Sequence, residues 1–182
     1  KGIPVTQIVE AGLRKGLDEV GKKYEQGEYF LAELLFGAAL MNDAFEILEP
    51  HLKLAKVERK GTIVLGTVRG DIHDIGKNIF GMFAKAAGFD VHDLGVDGGP
   101  ARFVQELKET NAEILALSAL LTTTRQEMKV TLDHLNHAGI RVRVLLGGNA
   151  ITEDFAKEIG ADYGAVDAVD GVETCKKWMM KK

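Results

Sequence analysis

The spacing of apolar residues changes near residue 60. Before this point they recur every three or four positions with few breakers, which places them on one stripe of a helix. The first stripe is formed by Leu13, Leu17, Val20 and Tyr24. The second is formed by Leu31, Leu34, Leu35, Ala38, Met41, Phe45 and Leu48. Gly27 separates the stripes and Pro50 closes the second, so the pattern predicts a bundle of about four helices, at least two of them long.

From Gly61 onward, short apolar runs alternate with amphipathic stretches, which is typical of a parallel sheet wound with helices. The expected strands are 62–68, 90–94, 113–118, 141–146 and 162–166. The expected helices are 76–87, 100–110, 125–138, 152–159 and 172–180. The sequence therefore predicts an α/β fold: an N-terminal helical bundle (1–60), linked through the charged stretch 53–60 to a parallel five-stranded sheet of Rossmann or flavodoxin type (61–182).

Composition narrows the class of protein. With 46% hydrophobic residues, 27% charged residues and a formal net charge of -4, the 182-residue chain resembles a soluble globular protein and lacks the basic character of a nucleic-acid-binding protein. Cys175 is the single cysteine, which excludes an intramolecular disulfide and fits a reducing cytoplasm. No apolar run approaches the roughly 20 residues of a membrane span. We therefore expect a cytoplasmic protein without nucleic-acid or membrane partners.

The first loop of the sheet domain carries the candidate chemistry, because ligands of such sheets bind beyond the carboxyl ends of the strands. This loop contains Asp71-x-His73-x-x-Gly76. A neutral imidazole can bind a metal through one nitrogen while a carboxylate fixes its other N–H, and a glycine lets a bulky ligand approach the backbone. Alone, the triplet fits a loop histidine hydrogen-bonded to a helix-capping aspartate equally well. Lys77 and Asn78 are expected to cap the next helix or to face solvent.

Two phosphate-related functions do not fit the spacing. Five residues separate Gly70 and Gly76 where a phosphate-binding P-loop has four, and Asn78 stands where a magnesium-binding hydroxyl belongs. A phosphate-accepting receiver domain needs an aspartate after the third strand and a lysine after the fifth, where this chain has Ser118 and Val166. We therefore exclude both functions.

The loops after the later strands carry small and polar residues: Ser118, Leu120, Thr122, Thr124, Gly147, Gly148 and Tyr163. Singly, each fits a strand end, an ordinary turn or the core. In this order after Asp-x-His-x-x-Gly, they resemble the cobalamin-binding domain of methionine synthase and, more closely in size, the small corrinoid proteins of anaerobic methyltransferase systems. The likeness spans essentially the whole chain, because that family also places a helical bundle before the sheet domain.

The resemblance implies a bound cobalamin, methylcobalamin in the carrier state, with His73 below cobalt in place of the cofactor's dimethylbenzimidazole base. It implies that Ser118 and Leu120 line a cleft for the displaced nucleotide tail. It also implies that Thr124, at the position of a serine in methionine synthase, completes a relay with Asp71 and His73. The implied cofactor-binding residues are Asp71, His73, Asp74, Ile75, Gly76, Ser118, Leu120, Thr122, Thr124, Gly147, Gly148, Tyr163 and Met41.

By the same resemblance, the protein is a methyl carrier without catalytic activity of its own. Its partners would be a substrate:corrinoid methyltransferase, a corrinoid:acceptor methyltransferase and a reductive activator. The helical bundle would cap the corrin, with Met41 on the cap surface. An adenosylcobalamin-dependent mutase subunit and a B12-sensing regulator share the sheet domain; the first usually lacks the bundle, and the second would carry a DNA-binding or signalling module. The sequence specifies neither the methyl donor and acceptor nor the oligomeric state.

Overall fold

The computed structural model describes residues 2–3, 7–52 and 59–180. The chain divides into two compact units, one formed by residues 1–59 with 86–88 and the other by residues 60–85 with 89–182. Most of the expected link, residues 53–58, lies outside the described residues. No helix in the described ranges is both long and apolar enough to cross a membrane.

In the described part of the amino-terminal unit, the helices are α1 (Ile8–Arg14), which is wound as a π-helix, α2 (Lys15–Glu25) and α3 (Leu31–Leu52). Gly27 follows α2 with a left-handed φ of 74°, as expected for the residue that ends a helix. At the start of α3 the Phe30 N–H donates to Glu33 Oε2 at 2.8 Å, which satisfies an otherwise unpaired donor. The helix continues through Pro50 to Leu52, so the prediction that Pro50 closes the second stripe is wrong; the fixed φ of proline lies in the helical range.

Helices α2 and α3 approach each other at a glycine. A Cβ at Gly37 would lie 3.2 Å from Val20 Cγ1, so a larger residue there would separate the two helices. The buried side chains of α3 follow the helical repeat, whereas other apolar side chains of the same helix are exposed. The buried set is Leu34, Ala38 and Met41, and the exposed set is Leu31, Phe36, Leu40 and Ile47.

The second unit is built on a five-stranded parallel sheet with the order β2-β1-β3-β4-β5. The strands are β1 (Thr62–Thr67), β2 (Asp90–Asp93), β3 (Ile114–Ser118), β4 (Arg143–Gly147) and β5 (Tyr163–Gly164). The helices are α4 (Ile75–Ala86), α5 (Pro100–Thr110), α6 (Gln126–His137), α7 (Glu153–Ile159) and α8 (Ala168–Met179). The predicted flavodoxin-like α/β fold is thereby confirmed.

The winding of the sheet reverses at β1. From β1 the chain moves to β2 on one side and then returns to β3 on the other, so the loops that follow β1 and β3 diverge. This divergence creates the crevice in which ligands of open α/β sheets bind. Ile63 and Val64 of β1 and Ile114 and Leu115 of β3 are fully buried, which gives these loops a rigid base.

Helix α8 begins at Ala168 and not at residue 172, where the apolar repeat starts. The Asp167 side chain accepts a hydrogen bond from the Asp170 N–H and so caps the helix at its true start. Gly171 lies inside the first turn, where its ideal Cβ would be 3.2 Å from Phe80 Cε2 and 3.3 Å from Leu145 Cδ2. The glycine that reads as a helix breaker in the sequence thus permits close packing of α8 against its neighbours.

Candidate functional site

Asp71 and His73 form a hydrogen-bonded pair on the loop after β1. Asp71 Oδ1 lies 2.7 Å from His73 Nδ1 and also accepts the His73 backbone N–H at 3.0 Å. Because an ionised carboxylate is only an acceptor, Nδ1 carries the hydrogen of the neutral ring and Nε2 keeps its lone pair. The Asp71 side chain is fully buried, whereas the His73 side chain is 47% exposed. The hydrogen bond therefore holds the Nδ1 edge of the ring in place and leaves the Nε2 edge exposed.

The second carboxylate oxygen of Asp71 binds the loop after β3. Oδ2 accepts the Thr124 hydroxyl at 2.6 Å and the backbone N–H groups of Leu120 and Leu121 at 2.9 and 3.4 Å. Burial alone raises the pKa of Asp71, but the hydrogen bonds from Thr124 and His73 outweigh it and hold this pKa well below its ordinary value. Asp71 thus stays ionised and ties together the loops on either side of the crevice.

Thr124 occupies the relay position with its hydroxyl directed at the carboxylate. Its methyl group also finds room, because Gly70 lies opposite and even an added Cβ there would be 3.8 Å from Thr124 Cγ2. The structure thus joins the Thr124 hydroxyl, the Asp71 carboxylate and the His73 ring in one chain of hydrogen bonds.

We expect Thr124→Val, which keeps the side-chain shape but removes the donor, to raise the pKa of Asp71 and to lower the free energy of unfolding by about 1–2 kcal/mol. NMR titration of the Asp71 carboxyl carbon and urea unfolding measure the two effects. Thr124→Ser is the matched control, since it keeps the hydroxyl. An Asp71 pKa that is the same in both variants would contradict the assigned role of the hydroxyl.

Open space and exposed apolar side chains lie near the Nε2 edge of His73. Within the described residues Nε2 has no hydrogen-bond partner. Ile72 and Ile75 on the same loop are exposed, as is Leu120 on the loop after β3. An added Cβ at Gly76 would meet no atom within 4 Å. The imidazole nitrogen is therefore available to a large, partly apolar ligand.

Ser118 and the two glycines lie at the ends of β3 and β4. Ser118 pairs in register with Gly147, and its hydroxyl makes no hydrogen bond with any described residue. A Cβ at Gly147 would meet nothing within 4 Å, whereas one at Gly148, whose φ is 118°, would lie 2.0 Å from the Ala119 carbonyl oxygen. Gly147 thus leaves open space, and Gly148 lets the loops after β3 and β4 approach closely.

The remaining predicted site residues differ in placement. Thr122 is exposed on the turn after β3, and Asp74 Oδ2 accepts a hydrogen bond from Asn78 Nδ2 at 3.0 Å. The Tyr163 hydroxyl donates to Asp170 at 3.1 Å; burial and this bond raise the pKa of Tyr163. Met41 belongs to α3 of the amino-terminal unit and is only 4% exposed.

The expectation that Lys77 caps a helix or faces solvent is wrong, because the side chain is buried and bonded to Asp93 and Asn78. The Lys77 side chain is 2% exposed, and its ammonium group donates to Asp93 Oδ2 at 2.5 Å and to Asn78 Oδ1 at 2.6 Å. Burial of an ammonium group is tolerated because a carboxylate from the end of β2 neutralises it. Lys77 and Asp93 are sixteen residues apart in the sequence, so their pairing is not evident from the sequence alone.

Two residues at the site carry no sequence signal of function. Thr67, the last residue of β1, donates its hydroxyl to the His73 carbonyl oxygen at 2.9 Å. Asp97, on the loop after β2, accepts the Gly70 N–H at 2.7 Å. Thr67 resembles any other residue of a buried strand, and Asp97 resembles an ordinary turn residue.

Whether His73 has other metal-binding side chains beside it decides what kind of metal site this can be. No group of three or more His, Cys, Asp or Glu side chains within residues 2–3, 7–52 and 59–180 could hold a metal ion. The metal of a macrocyclic cofactor brings its other ligands with it, so such a metal would need only His73 from this chain. The free Nε2, the exposed apolar residues and the open glycines fit such a group.

Comparison with known proteins agrees with this geometry. Two family models described as B12 binding domains match residues 61–173 and 1–49. A trimethylamine corrinoid protein and a dimethylamine corrinoid protein, both from Methanosarcina acetivorans, are 42% and 38% identical. The alignments cover 94% and 98% of this chain and 81% and 84% of the relatives.

A solved structure, the methanol:cobalamin methyltransferase complex from Methanosarcina barkeri, is also similar. The match has a TM-score of 0.88 and 28% identity, and it covers 100% of this chain and 70% of that chain. The resemblance to corrinoid proteins that the loop motifs indicate is thereby confirmed. The chain belongs to the corrinoid proteins with a B12 binding domain, and its cofactor is a corrinoid of the cobalamin type.

Proposed function

We propose that this protein carries methyl groups on a corrinoid whose cobalt has His73 Nε2 as its lower ligand, the cofactor's own base being displaced. The observation that carries this proposal is the pairing of a fully buried Asp71 carboxylate with a half-exposed imidazole at 2.7 Å. That pairing fixes the tautomer and leaves Nε2 as the free donor atom. A corrinoid bound here would supply a cobalt ion that accepts a methyl group and gives it up again.

The residues around His73 fit the demands of a ligand that binds and releases. Nε2 is the nitrogen that would bind and release the metal, because the hydrogen bond to Asp71 occupies Nδ1. Thr124 and the Leu120 N–H hold the other carboxylate oxygen, so Asp71 stays in position through the change. In the proposed relay, Asp71 would therefore keep the ring in place while Nε2 gains or loses its metal partner.

A cleft for the nucleotide tail is part of the proposal. Ser118, whose hydroxyl has no hydrogen-bond partner among the described residues, is a suitable donor to a base nitrogen, and we propose that the open space at Gly147 receives a flat ring at the end of β4. Leu120 would form an apolar wall. Asp74, Thr122 and Gly148, on the loops after β1, β3 and β4, and Ile75 and Gly76, in the first turn of α4, are proposed to border the cofactor. The hydroxyl of Tyr163 is already engaged by Asp170.

We further propose the division of roles expected from the sequence, with a cap in residues 1–60 and cofactor binding in residues 61–182. The exposed apolar side chains of α3, such as Phe36 and Leu40, support a role in covering an apolar ligand. Met41 is buried, so we expect it to act by supporting that surface more than by touching the ligand.

The partners proposed are a substrate:corrinoid methyltransferase, an acceptor methyltransferase and a reductive activator. The similarity to a chain in a methanol:cobalamin methyltransferase complex supports a methyltransferase partner. The two Methanosarcina relatives support a methylamine as the methyl donor. Their near-equal identities of 42% and 38% do not favour trimethylamine over dimethylamine. The activator rests on the family resemblance alone.

The axial ligand can be tested by electron paramagnetic resonance of protein loaded with cob(II)alamin. With histidine labelled by nitrogen-15, we expect the axial nitrogen splitting to change from a triplet to a doublet, because the nuclear spin changes from 1 to 1/2. A triplet that persists would mean that the unlabelled base of the cofactor is still the ligand, and the assignment would be refuted.

His73→Ala is expected to retain cobalamin, because the tail contacts remain, but to lose the nitrogen splitting and to change the visible spectrum. His134→Ala is the matched control, since His134 is exposed on α6 and its Nδ1 contacts the Val130 carbonyl. Identical spectra from the His73 variant and the wild type would contradict ligation by His73.

A further inference from the structure

The loop after β2 is hydrogen-bonded to the backbone of Gly70 and to that of Asp71. Asp97 accepts the Gly70 N–H through Oδ1 at 2.7 Å, and the Asp97 N–H donates to the Asp71 carbonyl oxygen at 3.0 Å. These two bonds fix the peptide on each side of the Gly70–Asp71 link. The backbone that orients the buried carboxylate is therefore held from β2 as well as from β1.

Asp97 has a left-handed backbone conformation, which residues other than glycine adopt infrequently. Its φ is 53°. Among the described residues, the other non-glycine residue with positive φ is Asn111, which ends α5, a position where left-handed backbone is usual. Asp97 ends no helix. The strain is consistent with a requirement for the carboxylate at this point.

The rest of the loop is anchored so that the Asp97 carboxylate is held in place. The Thr67 N–H donates to the Gly95 carbonyl at 2.9 Å, and the Gly98 N–H donates to the Thr67 carbonyl at 2.8 Å. The Gly95 N–H in turn donates to Asp93 Oδ1 at 2.8 Å. The Thr67 hydroxyl then reaches the His73 carbonyl, so the same short segment supports both ends of the Asp71–His73 pair.

We propose that Asp97 is a positioning residue for the cobalt ligand: by holding the Gly70 and Asp71 peptides, it sets the direction in which Asp71 presents the His73 ring. This inference rests on the proposed role of His73. It predicts that Asp97 controls the fraction of protein in which the imidazole is ligated and leaves the affinity for the corrinoid tail unchanged. Asp97 itself need not touch the cofactor.

Three substitutions distinguish the effect of the Asp97 carboxylate from the effect of its backbone strain. Asp97→Asn keeps an acceptor oxygen and tolerates the left-handed backbone, Asp97→Gly relieves the strain but loses the acceptor, and Asp97→Ala loses the acceptor and keeps the strain. We expect the asparagine variant to behave within about twofold of wild type. We expect the glycine and alanine variants to reduce the ratio of nitrogen-ligated to unligated cob(II)alamin by about tenfold.

Amide hydrogen exchange in the protein without cofactor provides a second readout. Loss of the acceptor should speed exchange at Gly70 and at His73, whose N–H binds Asp71, by about tenfold, while the amides of β3 keep their wild-type protection. Equal acceleration at β3 would show a general loss of stability and overturn the proposal. So would a glycine variant that matches wild type in both measurements.

The two proposals fail in different ways. Wild-type protein without a histidine splitting would refute ligation by His73, and the exchange rates at Gly70 and His73 would still decide whether Asp97 holds the loop. A normal histidine splitting in the wild type, unchanged in the glycine and alanine variants, would refute only the role of Asp97.

Discussion

Replacement of Gly148 by alanine is expected to lower the free energy of unfolding by at least about 3 kcal/mol, a large share of the roughly 5–15 kcal/mol that stabilises a typical domain. A Cβ at this position would lie 2.0 Å from the carbonyl oxygen and 2.8 Å from the carbonyl carbon of Ala119. The obstacle is backbone, which cannot move aside as a side-chain tip can. The φ of 118° adds strain for any residue with a Cβ. Urea unfolding of the protein without cofactor measures the loss.

Gly147→Ala, at the neighbouring position, is the matched control, because it should leave the free energy of unfolding nearly unchanged and lower the affinity for cobalamin. Its added methyl group meets nothing within 4 Å, so the free energy of unfolding should stay within about 0.5 kcal/mol of wild type. If the space beside Gly147 receives the cofactor's base, cobalamin affinity should fall by about tenfold or more. Equal stabilities of the two variants would contradict the close approach of the loops at Gly148. Wild-type affinity in Gly147→Ala would contradict the proposed cleft.

Features of the site that depend on neighbours in sequence were accessible to prediction. Asp71 and His73 are two residues apart, so a hydrogen bond between them follows from local geometry. Thr124 lies 53 residues from Asp71, and only the order of loop motifs in a known family connected the two before the structure showed the 2.6 Å contact. The sheet explains why that order carries information: parallel strands bring their carboxyl-end loops to one edge.

Contacts that depend on two distant loops were not accessible. Thr67 and Asp97 act mainly through backbone groups and one short side-chain bond each, and backbone groups are the same in every sequence. The sequence predicts that Lys77 caps a helix or faces solvent, because lysines are seldom buried. Its partner Asp93 lies on β2, sixteen residues away. A single sequence shows residue types and their spacing along the chain, but not which buried charge meets which.

The fold itself was predictable because each element is consistent with its surroundings. Helix α5 has the predicted bounds, Pro100 to Thr110, since proline at its first turn and Asn111 at its end agree with the apolar repeat. The sequence predicts that α8 begins at residue 172, whereas it begins at Ala168. Glycine is locally unfavourable in a helix, but Gly171 lies inside α8 because it permits close packing against Phe80 and Leu145. The short β5, Tyr163–Gly164, makes a weak pattern because two residues carry little periodicity.

Asp71→Asn is expected to remove about 3 kcal/mol from the free energy of unfolding at pH 7, and the size of this loss should depend on pH. The buried carboxylate accepts hydrogen bonds from Thr124, Leu120 and His73, and an amide nitrogen placed toward either loop would oppose a donor with a donor. In the native protein the pKa of Asp71 lies well below its ordinary value, whereas in the unfolded chain it is about 3.9.

A depressed native pKa stabilises the folded state fully above the unfolded pKa, and that contribution disappears as the pH falls through the native pKa. The gap between wild type and Asp71→Asn should therefore be constant from about pH 7 to 5 and narrow below about pH 4, because asparagine does not titrate. Asp133→Asn, which alters an exposed carboxylate paired with Lys129, should cost less than about 1 kcal/mol at any pH. Urea unfolding of all three proteins between pH 7 and 3 gives the comparison. A gap for Asp71→Asn that stays constant into acid would mean that the ionised carboxylate is not what binds the two loops together.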